Sequence, residues 1–164
     1  MYNKYIDISV VTFEGGVYYL DKTTKHLDYL QENIARMNRC SFQMKGWTIT
    51  IVTALIALAA TGIGTFEFKS VILVLIGIFP TVAFWALDSY YLMKEKDLIT
   101  VFNIVAGIKE SSIKIKDYEI MPDLKEQKTE FKSVFKSASE AGLYGSIIGL
   151  LVLISVVLFI LCKC

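Results

Sequence analysis

The sequence has few groups suited to catalysis. One histidine, His26, and three cysteines, Cys40, Cys162 and Cys164, are all it offers for soft-metal or nucleophilic work, and no two cysteines form a C-x-x-C pair. Zinc-ribbon and dithiol-redox readings are thereby excluded. Cys40 is isolated in the sequence. Cys162 and Cys164 close the chain and read as terminal residues without a structural role, with a bridge between subunits or a lipidated thiol as the alternative. No G-x-S-x-G nucleophile motif, phosphate-cradling glycine loop or paired metal-ligand spacing occurs. His26 lies on a charged helix and is expected at the surface. No enzymatic activity, metal or cofactor is expected. A surplus of charge is also missing. Lys+Arg number 17 against 16 Asp+Glu, which gives no general nucleic-acid signature. Only two prolines, Pro80 and Pro122, interrupt the chain.

What the chain does have is apolar length. Hydrophobic residues make up 54% of its 164 positions, and the mean hydropathy of +0.51 is high for a soluble domain. The apolar residues collect in three blocks with the charges between them, the pattern of an integral membrane protein. Residues 46–64 (GWTITIVTALIALAATGIG) carry no charge and at ~1.5 Å per residue cover most of a ~30 Å hydrocarbon core. Residues 70–91 form a second span containing Pro80, where a kink is expected. The link between them is short, so the two make an antiparallel hairpin. Residues 143–162 form a third span. The first twenty residues carry Asp7 and Glu14 and lack a continuous apolar core, so the first span is expected to act as its own uncleaved signal.

The polar segments also have readable periods. YIDISVVTF and VYYL alternate around Glu14-Gly15-Gly16 and predict a β-hairpin. Leu27, Leu30, Ile34, Met37, Ser41 and Met44 recur at steps of three and four and predict an amphipathic helix over 22–46 that runs into the first span. Residues 92–110 read as a helical continuation of the second span. SIKIKDYEI alternates Ile113 and Ile115 with Lys114 and Lys116, which predicts a strand able to join the hairpin. Residues 121–142 read as a helix opened by Pro122-Asp123 and feeding the third span. The expected architecture is therefore a predominantly α-helical membrane protein. It has three transmembrane helices, long cytosolic helical extensions and a small cytosolic β-sheet. The segments are 1–45 (hairpin plus amphipathic helix), 46–91 (transmembrane hairpin), 92–142 (cytosolic helix-strand-helix) and 143–164 (third span and tail). Lys and Arg number six before the first span, one in the link, nine in 92–142 and one in the tail. The positive-inside rule places the N-terminus and 92–142 in the cytosol and the C-terminus outside.

Functional candidates lie on the spans. Thr50, Ala54, Ala57 and Thr61 make one small, partly polar stripe; Thr53, Ala57, Ala60 and Gly64 make another. Ala141, Gly145 and Gly149 form a small-x-x-x-small series beside Gly142 and Ser146. Such stripes admit close helix packing; alternatively, Thr50, Thr53 and Ser146 line a pore, which three spans can enclose only by assembling around an axis. Asp88 ends the second span among Trp85, Tyr90 and Tyr91, and these aromatics with Trp47 read as an interfacial belt. Asp88 is expected to pair with Lys45 or Arg39 across the hairpin, or to form a carboxylate ring at the cytosolic mouth of a cation path. Tyr18, Tyr19, Lys114 and Lys116 offer stacking faces and charge for a nucleotide or single-stranded ligand, although nine acids balance nine bases in 92–142.

NRCSFQMKGWTITIVTALIALAA followed by IGIFPTVAFWALDSYYLMKEKDLITVF resembles the SLATT group of small bacterial membrane proteins over about residues 25–110. The shared features are a Gly-Trp entry to the first span, a tight hairpin and an aromatic-Asp-aromatic exit carried here by Trp85 and Asp88. In size and layout the chain is also similar to Hailong-type membrane effectors. The resemblance implies a pore-forming effector of bacterial antiphage defence at the inner membrane. Such an effector is a homo-oligomer, a tetramer by analogy, controlled by a nucleotide or oligonucleotide from a neighbouring nucleotidyltransferase. The third span departs from the two-span pattern. The alternative is a membrane anchor that recruits a soluble partner.

Overall fold

The computed structural model describes residues 8–13, 16–61, 68–116, 118–124 and 127–163, with side chains for 23–61, 70–116, 118–124 and 127–160. Two short strands, β1 (Ile8–Phe13) and β2 (Gly16–Asp21), pair antiparallel from Ile8↔Asp21 to Phe13↔Gly16. The 40-residue helix α1 (Lys22–Thr61) follows at once. No proline interrupts it, and its buried positions Leu30, Asn33, Ser41, Met44, Thr48, Val52 and Ala59 fall at helical spacing. Then come α2 (Phe68–Ile76), α3 (Ile78–Val105), α4 (Phe131–Phe135) and α5 (Ala138–Lys163). Three helical stretches, Thr23–Thr61, Ser70–Val105 and Ala138–Ile160, are long and apolar enough to cross a membrane.

The described residues fall into two units. One comprises residues up to Met37 together with Lys94–Lys128; the other comprises Asn38–Met93 and the chain from Thr129 onward. The core of the first is Leu30, Leu98, Val101 and Leu124, with Ile113, Ile115 and Ile120 packed against it. The core of the second is Val52, Ala59, Val74 and Leu151.

In the first unit α3 ends in a Schellman motif. Ile108 N donates to Asn103 O (2.9 Å) and Gly107 N to Ile104 O (3.1 Å), and Gly107 takes the left-handed φ of 73° that the motif requires. The strand expected over 112–120 does not form. Residues 113–116 are irregular, and among the described residues the sheet has the two strands β1 and β2, so a small sheet extended by this segment is not supported. The alternation has a different cause: Ile113 and Ile115 turn onto the helical core while Lys114 and Lys116 stay exposed. His26, expected at the surface, is buried at 5% exposure; its Nε2 lies 3.2 Å from Glu119 O and its ring 6.0 Å from that of Tyr118. Tyr118 sits at a φ of 63°, a conformation costly for a bulky residue unless its surroundings hold it.

In the second unit the span expected over 70–91 lies within the apolar stretch Ser70–Val105, and its helix is interrupted at Gly77, near the kink expected at Pro80. Pro80 has no N–H to offer Ile76 O, so the ladder fails one turn before it. On the next rung Thr81 donates twice to Gly77 O, from its hydroxyl at 2.8 Å and from its N–H at 3.4 Å. A Cβ on Gly77 would lie 3.1 Å from Val74 O, 3.3 Å from Leu55 Cδ1 and 3.5 Å from Leu151 Cδ1. The break therefore sits where α1 and α5 approach closely. Gly77→Val is expected to cost about 1–3 kcal/mol by overpacking, read as a lower thermal midpoint in detergent. An unchanged midpoint would show that the contact is not tight.

The helix expected over 121–142 is also interrupted. It is reduced to the five residues of α4, and α5 begins afresh after Ser137. Ser137-Ala138-Ser139-Glu140 has capping-box spacing, and Ser137 Oγ accepts from Glu140 N at 3.4 Å.

Candidate functional site

Three helices of the second unit direct polar side chains at one another. Ser41 and Lys45 stand one turn apart on α1. Asp88 comes from α3. Glu140 and Tyr144 stand one turn apart at the start of α5. Asp88 is wholly buried and Glu140 is 2% exposed, whereas the Lys45 side chain keeps 23%. Lys45 Nζ donates to Asp88 Oδ2 at 2.6 Å and to Ser41 Oγ at 3.0 Å, and lies 3.1 Å from Glu140 Oε1. Ser41 Oγ donates to Asp88 Oδ1 at 2.5 Å, and Tyr144 OH to Asp88 Oδ2 at 2.8 Å. Asp88 thus ties α1 and α5 to α3. Two carboxyl groups face one ammonium. Glu140 Oε2 is buried without a hydrogen-bond partner among the described residues, as are Ser89 Oγ and Trp85 Nε1.

An aromatic stack lies beside the cluster. Trp85 stacks on Phe135 (centroids 4.1 Å apart, planes at 11°) and lies nearly parallel to Tyr144 (5.9 Å, 10°), while Phe131 reaches Phe135 at 5.8 Å. Trp85 is therefore packed between α3, α4 and α5. Trp47 does stand at the surface, 56% exposed, with its edge towards Phe84. Tyr90, 46% exposed, meets Tyr91 edge-on at 5.9 Å.

Comparison with family models, curated proteins and solved structures gives no match. The reading of the site rests on its geometry.

That geometry sorts the other sequence candidates. Of the two bases offered to Asp88, Lys45 makes the pair; Arg39 is exposed and takes no part. The carboxylate ring facing a cation path is not what a single chain presents, because Asp88 is closed in by its three partners. Thr50, Thr53 and Ser146 are exposed, and each hydroxyl bonds its own helix: Thr50 to Gly46 O, Thr53 to Ile49 O and Thr50 O, Ser146 to Leu143 O. They line no interior channel. Gly145 and Gly149, expected to pack helices, have nothing within 4 Å of a built Cβ, and Gly142 is equally open; Ala141 is half-buried. A Cβ would clash with nothing there, so this stripe does not pack helices within one chain. Ser41 and Thr48 face inward while Thr50, Thr53, Ala54, Ala57 and Thr61 face outward on α1. Lys114 and Lys116 are exposed on an irregular segment, not a strand. The side chains of Tyr18 and Tyr19, and all of Gly64, lie outside the described residues. Sequence reasoning missed Glu140 and Tyr144 as site residues. The Ser137-x-x-Glu140 capping pattern marks the start of a helix and, with Tyr144 one turn on, was the available signal.

Proposed function

We propose that the chain is one subunit of an oligomeric, ion-conducting membrane effector that acts by depolarisation. The supporting observation is the outward placement of the small and polar span residues. On α1 and α5 the side chains that could hydrate a path, Thr50, Thr53 and Ser146, and the open glycines 142, 145 and 149 all face away from the chain's own core. The interior is filled by Val52, Val74 and Leu151 and by the Asp88 cluster, so a water path has to run between copies. On this reading the chain sits in the bacterial inner membrane, N-terminus inward and C-terminus outward. A nucleotide or oligonucleotide on the 1–45 and 92–142 segments would shift a closed–open equilibrium. Moving it from 1:99 to 99:1 takes about 5.5 kcal/mol of differential binding, which several subunits can share. The resemblance to SLATT and Hailong-type effectors supports a role in antiphage defence.

The test is membrane potential in bacteria, read with a voltage-sensitive dye, with the chain expressed alone, with its genomic neighbour and during phage infection. Depolarisation is expected in at least the last case. A steady potential throughout, with the protein in the membrane, would reject the proposal. Thr50→Leu/Thr53→Leu is expected to abolish the depolarisation while shifting stability by only about 0.5 kcal/mol, because both sites are exposed. Equal depolarisation by this variant would remove the α1 stripe from the path.

The anchor reading draws on a different observation. A buried ion pair joining three helices is suited to fixing their rotation. If deletion of residues 1–20 abolished recruitment of a soluble partner and the potential never moved, the anchor would be the better account.

A further inference from the structure

We propose that the second unit carries a basic collar that binds anionic phospholipid headgroups at the membrane–water boundary. Its described bases at the Asp88 end are Arg39 and Lys45 on α1, Lys132 within α4 and Lys136 at the end of α4; its described acids there are Asp88, Glu130 and Glu140. In sequence these nearly cancel, and folding separates them. Asp88 and Glu140 turn inward onto Lys45. Arg39, Lys132 and Lys136 are exposed and make no ion pair among the described residues. Of the acids named, Glu130 alone is exposed. The outer surface is therefore basic, although the whole chain carries a net charge of only +1.

Contacts within the unit put the three free bases near one level. Lys132 and Lys136 flank Phe135, which stacks on Trp85 at 4.1 Å. Trp85 precedes Asp88 by less than one turn, Asp88 holds Ser41 and Lys45, and Arg39 stands about half a turn before Ser41. Large apolar rings are exposed close by: Phe42 at 76%, Trp47 at 56% and Phe131 at 38%. Such exposure is costly in water. At the edge of a bilayer the rings enter the acyl boundary while the bases meet phosphate. Lipid surrounds a span on every side, so the bases need not form one patch. A phosphate whose charge no choline balances suits three unpaired bases. The collar rests on the membrane-spanning part of the reading above and is independent of conduction.

The test reconstitutes the full chain in vesicles of equal parts phosphatidylcholine and phosphatidylglycerol. An alkaline wash first checks insertion; release of the chain would reject the membrane-spanning reading itself, and the collar with it. Spin-labelled forms of the two lipids then report how much of each is immobilised on the retained protein. The wild type is expected to favour phosphatidylglycerol about five-fold at low salt, the effect of one base near each headgroup, and to lose that preference as salt screens it. Arg39→Gln/Lys132→Gln/Lys136→Gln is expected to insert as the wild type does and to hold the two lipids nearly equally. Equal immobilisation of both lipids by the inserted wild type would overturn the proposal. A preference that salt does not weaken would overturn it as well, and needs no substitution to detect. So would an undiminished preference in the variant; a loss of self-association alongside it would assign the three bases to a contact between copies.

Discussion

Asp88→Ala is expected to lower stability by about 2–6 kcal/mol, because it leaves two buried hydroxyls without an acceptor. Glu140→Gln, on the same cluster, is expected to cost less than about 1 kcal/mol or to stabilise. The asymmetry follows from what each change leaves behind. Without Asp88, the hydroxyls of Ser41 and Tyr144 both lose their acceptor in a buried site, and a buried polar group without a partner costs roughly 1–3 kcal/mol. Lys45 retains Glu140, so charge imbalance is not the main loss. In Glu140→Gln the pair Lys45–Asp88 keeps every hydrogen bond to Ser41 and Tyr144. Asp88→Asn, which keeps an acceptor oxygen, should fall between. Tryptophan fluorescence during thermal unfolding is the natural readout, because Trp85 stacks between Phe135 and Tyr144. Equal losses for Asp88→Ala and Glu140→Gln would refute the view that Asp88, more than Glu140, is the tie. The pair of variants also separates fold from conduction. Because Glu140→Gln leaves the helices joined, any change it makes in cellular depolarisation belongs to the site itself.

The Lys45–Asp88 pair was legible in the sequence because a tight antiparallel hairpin fixes which residues of two spans share a level, and Lys45 and Asp88 flank the same end of it. Glu140 was not, because no such constraint sets the rotation of the third span. In the structure Tyr144, Leu151 and Ser155 turn inward, while Gly142, Gly145, Ser146 and Gly149 turn outward together with Leu150 and Leu153, so side-chain size alone does not reveal that rotation. Small residues in a span predict close packing, but they do not say whether the neighbour is another helix of the same chain. The three apolar helices were readable from length and lack of charge alone. The break at Gly77 was not, since a proline in a membrane span predicts a bend without saying whether the ladder reforms around it. The segment 112–120 misled for a definite reason. Period-two alternation reports an extended chain with one face buried, and a helical surface can bury that face as well as a sheet can.

These features give the Asp88 cluster a defined part in the proposed effector. A lone carboxylate at the end of a span would be an exposed mouth charge, cheap to hold and easy to reach. Here it is wholly buried and satisfied by three side chains from two other helices, so any state that exposes it must first break the Lys45 pair and release two hydroxyls.

Leu98→Ala is expected to destabilise the first unit by about 2–5 kcal/mol, the range for a large-to-small change in a core. Leu98 is 1% exposed and packs with Leu30 and Val101 and with Leu124 from the connecting segment. That segment is irregular from Glu110 to Leu124 over its described residues, so it has no backbone ladder of its own. It is held by Ile113, Ile115, Ile120 and Leu124 against the helices, by Gln127 Nε2 donating to Ser111 Oγ at 3.0 Å, and by the His26–Glu119 contact at 3.2 Å. A cavity at Leu98 opens the core cluster to which these side chains belong or against which they pack. The loss should therefore appear first as cleavage within 108–124 under limited proteolysis, at protease levels that leave the wild type intact. The Trp85 fluorescence transition, which reports on the other unit, should move far less. If both signals shifted together, the two units would unfold as one, and the division at Met37 and Lys94 would carry no energetic meaning. If cleavage appeared and fluorescence held, the connecting segment would be the weakest part of the chain and the place where a bound ligand could do the most work for the least binding energy.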